Sequence, residues 1–272
     1  ASLRNPQPLD PARLYLSVYP PPEAAYRLAN HPQPVGEVTR PGSTPMWAGL
    51  RFVNGYSPIR TAGVGRAWAF YTHGEIDRGM ADYLLGYEAG PNGLLARIGV
   101  DGIIVAQEIA TTPAPATEWT LVRDDEEGRV YERVGAPFAR VRSLGFLEEL
   151  PNEKLARAKV HLREDSRQKV VADVEVPPGD SPATLVFARP FFDGYRATLN
   201  GRHLPVDSFR GLAPVVQLPP GAHGRLTLIY RPWWLLLGGA IAMISALVMI
   251  VAAGLAFWPG EPESSKTPRA EQ

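Results

Sequence analysis

The sequence predicts an α+β protein: a mixed α/β N-terminal part, then an antiparallel β-sandwich, then one C-terminal transmembrane α-helix. Three observations carry this. From Trp233 to Trp258 the chain holds no charged residue, and a helix of that length reaches about 39 Å, more than the ~30 Å hydrocarbon core of a bilayer. From about Arg140 to Pro232, short runs of alternating polarity are separated by Gly/Pro/Asn turns, as in an antiparallel sandwich. Ahead of Arg140, helix-period and strand-period segments follow one another. The resulting division is 1–140 for the mixed part, 141–232 for the sandwich, 233–258 for the span and 259–272 for a short polar tail.

Taken in order, Arg13 to Tyr19 alternates as a strand does and stops at Pro20-Pro21-Pro22, after which Glu23 to Asn30 suits a short helix. Val35 to Thr39 reads as a strand, and Met46 to Pro58 runs apolar before turning at Asn54-Gly55, a pair that tolerates positive φ. Arg66 to Glu88 suits one helix, with Ala67, Phe70, Tyr71, Met80, Tyr83 and Leu84 as its apolar positions, although Gly74 and Gly79 weaken it. Pro91 to Ile98 suits a second. It leads into Asp101 to Ala106, a continuous apolar run of the kind a covered strand shows. Trp119 to Val122 and Arg129 to Val134 flank the acidic turn Asp124 to Gly128, which predicts a hairpin.

The sandwich strands are expected at Lys169 to Val176, Ala183 to Ala188, Tyr195 to Leu199, Ala213 to Leu218 and Arg225 to Tyr230. The last of them meets the apolar helix with only Arg231 and Pro232 between, so the sandwich is expected at the bilayer surface. Trp233 and Trp234 at one end of the span and Trp258 at the other stand where indole rings favour the membrane interface. Gly238, Ala242 and Ala246 recur every four residues, a small-residue face suited to close packing against other helices. The competing interpretation, a buried helix of a soluble core, conflicts with the length, since globular helices average about 12 residues.

Composition removes several function classes. Lys+Arg and Asp+Glu both number 28, a balance that argues against a nucleic-acid partner. The 28 Pro and 26 Gly are too many for a helical bundle. With no Cys there is no disulfide, thiolate zinc site or thiol nucleophile. His31, His73, His161, His203 and His223 lack any ligand-pair spacing, so neither a metal nor a cofactor is expected.

No G-x-S-x-G elbow or glycine-rich phosphate loop occurs, and the carboxylate clusters Glu148-Glu149 and Asp124 to Glu127 read as solvated turns. No catalytic residue is assigned. Trp47, Asn54, Tyr56 and Arg60 are the substrate-binding candidates, because aromatics beside an amide and a guanidinium suit sugar or phosphate recognition. Against them stands a plain structural turn, since Asn54-Gly55 followed by Pro58 explains itself as backbone geometry. Phe191, Phe192 and Tyr195 offer stacking faces, with a sandwich core as the competing use.

Charge does not orient the span. Arg225 and Arg231 on its N-side balance Lys266 and Arg269 on its C-side. The chain begins at Ala1 without a Met or a signal-peptide pattern. A cytosolic tail-anchored protein and the C-terminal piece of a longer membrane protein both fit, and the missing Met favours the piece.

Residues 188 to 238 carry a resemblance. Phe191-Phe192, Asp193-Gly194-Tyr195, Asn200-Gly201-Arg202, Pro220-Gly221-Ala222-His223 and Ile229-Tyr230-Arg231-Pro232 are similar, in order and spacing, to the closing segment of bacterial YfhO-like membrane proteins. Upstream, Arg51 to Pro58, Leu94 to Ile104 and Val130 to Arg133 resemble further motifs of that family. Ser57 stands where the family often has Asp, and Tyr195 where it often has Trp. The resemblance implies a polytopic GT-C type glycosyltransferase that decorates envelope polymers from a polyprenyl-phosphate-linked sugar. Its catalytic carboxylate is expected between early helices, outside this sequence. Residues 1–232 are then extracytoplasmic at a bacterial cell membrane, with the tail cytoplasmic. Expected partners are the bilayer, upstream helices of the same parent, and envelope polysaccharide or lipid-linked sugar; the alternative is a membrane-anchored glycan- or protein-binding module without activity.

Overall fold

The computed structural model describes residues 4–21, 44–54, 62–71, 74–109, 115, 117–145, 154–166 and 168–256. The helix expected at Glu23 to Asn30, the strand at Val35 to Thr39 and the Glu148-Glu149 pair lie outside them. The fold is α+β, with a mixed first sheet, two antiparallel sheets and one C-terminal apolar helix. The chain divides into two units, Ala1–Tyr230 and Arg231–Gln272.

The first sheet orders its strands β2 (Arg51–Phe52), β1 (Leu14–Val18), β3 (Gly102–Ala106), β5 (Gly128–Arg133) and β4 (Trp119–Asp125). β1 pairs parallel with β2 and β3, whereas β3–β5 and β5–β4 are antiparallel. β1 and β3 are buried at every position, because both faces of the sheet are covered. Leu14, Leu16, Val18, Ile103 and Val105 enter the main cluster, while the alternate positions Tyr15 and Ile104 meet Leu9, Ala48 and Leu50. Gly102 pairs with Tyr15, and a Cβ there would overlap the tyrosine ring, so packing demands the glycine.

A short helix, α1 (Thr44–Trp47), precedes β2. The single helix expected from Arg66 to Glu88 is corrected to three pieces: α2 (Ala62–Trp68), α3 (Arg78–Tyr83) and a π-turn (Leu84–Glu88). The interruption has a packing cause. Phe70 turns inward to lie 5.1 Å from the Trp68 ring, and Ile76 donates its N–H to the Tyr19 carbonyl. A straight helix cannot make that reversal. Ala69 and Gly74 take positive φ to allow it, and Asp77 caps the restart by accepting from the Met80 N–H. α4 (Leu94–Ile98) then ends at Gly99 in the left-handed conformation.

The second sheet orders β12 (Asp207–Phe209), β13 (Ala213–Leu218), β9 (Ala183–Phe187) and β6 (Val141–Ser143). The third orders β11 (Arg202–Leu204), β10 (Tyr195–Leu199), β14 (His223–Tyr230), β8 (Lys169–Glu175) and β7 (Lys159–Asp165). Every pairing within both is antiparallel. Their facing residues, among them Val170, Ala172, Val174, Leu185, Phe187, Val216, Leu226 and Leu228, form the sandwich core. The second sheet's other face supplies Val186, Ala213 and Val215 to the cluster shared with the helices and the first sheet. It is thus covered on both sides.

One buried carboxylate joins these parts. Asp101 is 2% exposed, and its oxygens accept from the Leu14 N–H at 2.7 Å and the Phe138 N–H at 2.6 Å. Its carbonyl accepts from Arg13 Nη1 and the Arg133 N–H. Arg133 lies over the Trp119 ring and Arg142 over the Phe138 ring, at 4.4 and 4.3 Å. Arg142 also donates to the carbonyls of Ala96 and Arg97 in α4. Burial pushes its guanidinium down to about 10. Burial also raises the Asp101 carboxyl above its ordinary value, outweighing the two N–H bonds and Arg13.

The apolar helix, α5 (Trp233–Ala256), contains a stretch, Trp233–Gly254, long and apolar enough to cross a membrane, and none of its most apolar window is buried. Trp233, Trp234, Gly238, Ala242 and Ala246 are all exposed on it, while Trp258 lies outside the described residues.

Asp101→Asn keeps one oxygen acceptor but turns an amide N–H₂ toward the other donor, so about 1–3 kcal/mol of folding stability is lost. The native pKa lies above the ordinary 3.8. The wild-type advantage is therefore largest below pH 3.8 and shrinks as pH rises through the native value. Denaturant unfolding of both proteins in detergent across that range checks the sign.

Candidate functional site

Of the sequence-derived binding candidates, Trp47 and Asn54 are described; Tyr56 and Arg60 lie outside the described residues. Trp47 is 61% exposed on α1. Asn54 is buried, and its amide does a strand's work. β2 stops pairing with β1 at Phe52↔Tyr15, after which the Val53 N–H reaches the Tyr15 carbonyl. Asn54 Oδ1 then accepts from the Ser17 N–H at 2.9 Å, and Nδ2 donates to the Ser17 carbonyl and to the Gly74 carbonyl. The side chain prolongs the ladder where the main chain leaves it.

The carboxylates are engaged in comparable ways. Asp165 of β7 accepts from Arg51 of β2 and from Arg189, both at 2.6 Å. In the acidic turn, Asp124 pairs with Arg129, and Asp125 with Arg123 and the Glu127 N–H. Among the described residues no group of three or more His, Asp or Glu is placed to hold a metal ion. Phe191, Phe192, Tyr195 and Tyr230 stack on one another beside β10 and β14, with Tyr195 and Tyr230 centred 5.0 Å apart. Burial raises the Tyr195 phenol.

A cavity of about 390 Å³ opens beside α2, where Gly63 and Arg66 meet Tyr83, Glu88 and Arg210. Each wall has a local cause. A Cβ on Gly63 would overlap the Gly211 backbone, so α2 and the β12–β13 turn touch glycine to glycine. That turn holds Arg210 at φ 52°, a strained conformation for a long side chain. Glu88 closes the π-turn; one oxygen accepts from the Tyr83 hydroxyl and the other from the Leu94 N–H, both at 2.7 Å. The Arg97 and Arg210 guanidiniums lie 6.0 and 5.8 Å from the Phe209 ring centre. Burial and the neighbouring Arg210 charge push the Arg97 guanidinium down.

Sequence reading missed this cavity. Tyr83 looked like an apolar helix position, and no spacing links residues 66, 83, 88 and 210. The only local sign was the Arg210-Gly211 turn. No protein-family model, curated protein or solved structure matches the chain.

Asn54→Ala strands the Ser17 N–H, and about 1–3 kcal/mol of stability is lost. Trp47→Ala, at an exposed site, changes stability by less than about 0.5 kcal/mol. Unfolding midpoints of the two variants separate the ladder role from the surface one.

Proposed function

We propose that this chain is the extracytoplasmic portion and last membrane helix of a YfhO-like, GT-C type membrane protein. It acts without a catalytic group of its own, holding an envelope glycopolymer acceptor or closing over a polyprenyl-phosphate-linked sugar. The observation that carries this reading is the order of elements: a mixed α/β part, a sandwich, and an apolar helix that follows the last strand after Arg231 and Pro232. That order accompanies the family-like motifs from Phe191 to Pro232. The carboxylates support a scaffold role, since Asp101 and Asp165 are committed to backbone N–H groups and arginines.

In this reading Trp233, Trp234 and Trp258 sit at the membrane interfaces of a bacterial cell membrane. The small face Gly238, Ala242 and Ala246 receives neighbouring helices of the parent. The tail is cytoplasmic. A second reading, a membrane-anchored glycan-binding module without activity, draws on the cavity, where Arg66, Arg210 and Tyr83 converge.

External protease added to intact cells is expected to cleave within residues 1–232. Protection there, with cleavage only after permeabilisation, would overturn the extracytoplasmic placement.

A further inference from the structure

The walls of the cavity are chemically specific. We infer that it is a binding site for an acidic saccharide, a pyranose unit bearing a carboxylate or a phosphate. The inference rests on the glycopolymer reading for its ligand class and on the following geometry for its place.

Two arginines arrive from separate elements, Arg66 from α2 and Arg210 from the β12–β13 turn. Both are exposed at the cavity. The Arg66 guanidinium lies 3.6 Å from the position a Gly211 Cβ would occupy, so it is directed at the backbone that carries Arg210. A guanidinium fork matches the two oxygens of a carboxylate or phosphate, which a single lysine does not.

Beside them stands one aromatic ring, Tyr83, 44% exposed, whose centroid lies 5.7 Å from that of Tyr87. Exposed tyrosine faces suit the apolar face of a pyranose while the hydroxyls stay wet. Glu88 fixes the Tyr83 phenol by accepting its proton in a hydrogen bond, so the rim ring is preset.

The backbone shows the same concentration. The π-turn, the left-handed Arg210 and the Gly63–Gly211 contact all border this one cavity. Such irregularities cost stability and gather at functional sites. The cavity, about 390 Å³ in volume, is open to solvent on the side where the arginines stand.

The test is calorimetric titration of the full chain in detergent with four probes: a hyaluronan tetrasaccharide, glucose 6-phosphate, maltotetraose and inorganic phosphate. The tetrasaccharide and the sugar phosphate distinguish carboxylate from phosphate. Binding of at least one of them is expected, with maltotetraose at least tenfold weaker. Arg66→Ala and Arg66→Lys, at an exposed position, are each expected to weaken it about tenfold, while urea unfolding stays unchanged. No acidic sugar binding, equal binding of maltotetraose, or binding indifferent to both variants would overturn the site. So would inorganic phosphate binding as tightly as the sugars. Binding together with protease protection in cells would remove the extracytoplasmic placement and leave the site standing. Cleavage in cells without binding would remove only the site.

Discussion

The Asp101 carboxylate is the point through which the first unit is joined. Its two oxygens hold the start of β1 and the segment between β5 and β6, the connection from the first sheet to the second. Around it Arg13 binds Glu132 at 3.0 Å, and Arg142, from β6, closes the end of α4 by donating to its carbonyls. One charge thus fixes a strand, a connection and, through its arginine neighbours, a helix terminus. Desolvation makes it expensive, which is why burial raises its pKa despite two N–H donors and a nearby guanidinium.

The apolar core then follows from layering. β9 and β13 both serve the two clusters: Ala183, Leu185 and Phe187 of β9 with Val216 and Leu218 of β13 face the third sheet, whereas Val186, Ala213 and Val215 join the cluster shared with the helices. This double coverage explains why the β9 sequence is a continuous run, whereas β14 still alternates against solvent. The outermost strands are handled differently. β7 presents Lys159, Arg163 and Asp165 on a largely exposed strand, and its Lys159–Glu175 and Arg163–Asp173 pairs reach across to β8. Charges of that kind add little stability but discourage a further strand from adding to the edge.

These differences set what the sequence could disclose. The sandwich strands were legible because period-two patterning and Gly/Pro turns coincide, and β3 because it is covered on both faces. β7 was not, since KVHLRED has charge where an alternating strand would show apolar residues. The break between α2 and α3 was hidden because Phe70 and Ile76 fit a helical pattern as well as they fit the core. Asn54 stands out in the sequence as a sugar-binding amide or a turn residue, whereas its amide lengthens a ladder, a use that depends on the distant Ser17 and Gly74. The cavity was invisible because Arg66, Tyr83 and Arg210 come from three separate elements, which no local pattern links.

The arginines themselves divide by environment. Arg142 and Arg13 are held inside by carbonyl oxygens, and burial pushes Arg142 down to about 10. It therefore keeps its proton at neutral pH. Its terminal nitrogen serves two α4 carbonyls at once. At the cavity Arg66 and Arg210 are exposed instead. What arginine adds at an exposed rim is the planar fork. Its presence on two elements facing one opening, beside Tyr83, is the geometry on which the binding inference rests, and the interior arginines do not share it.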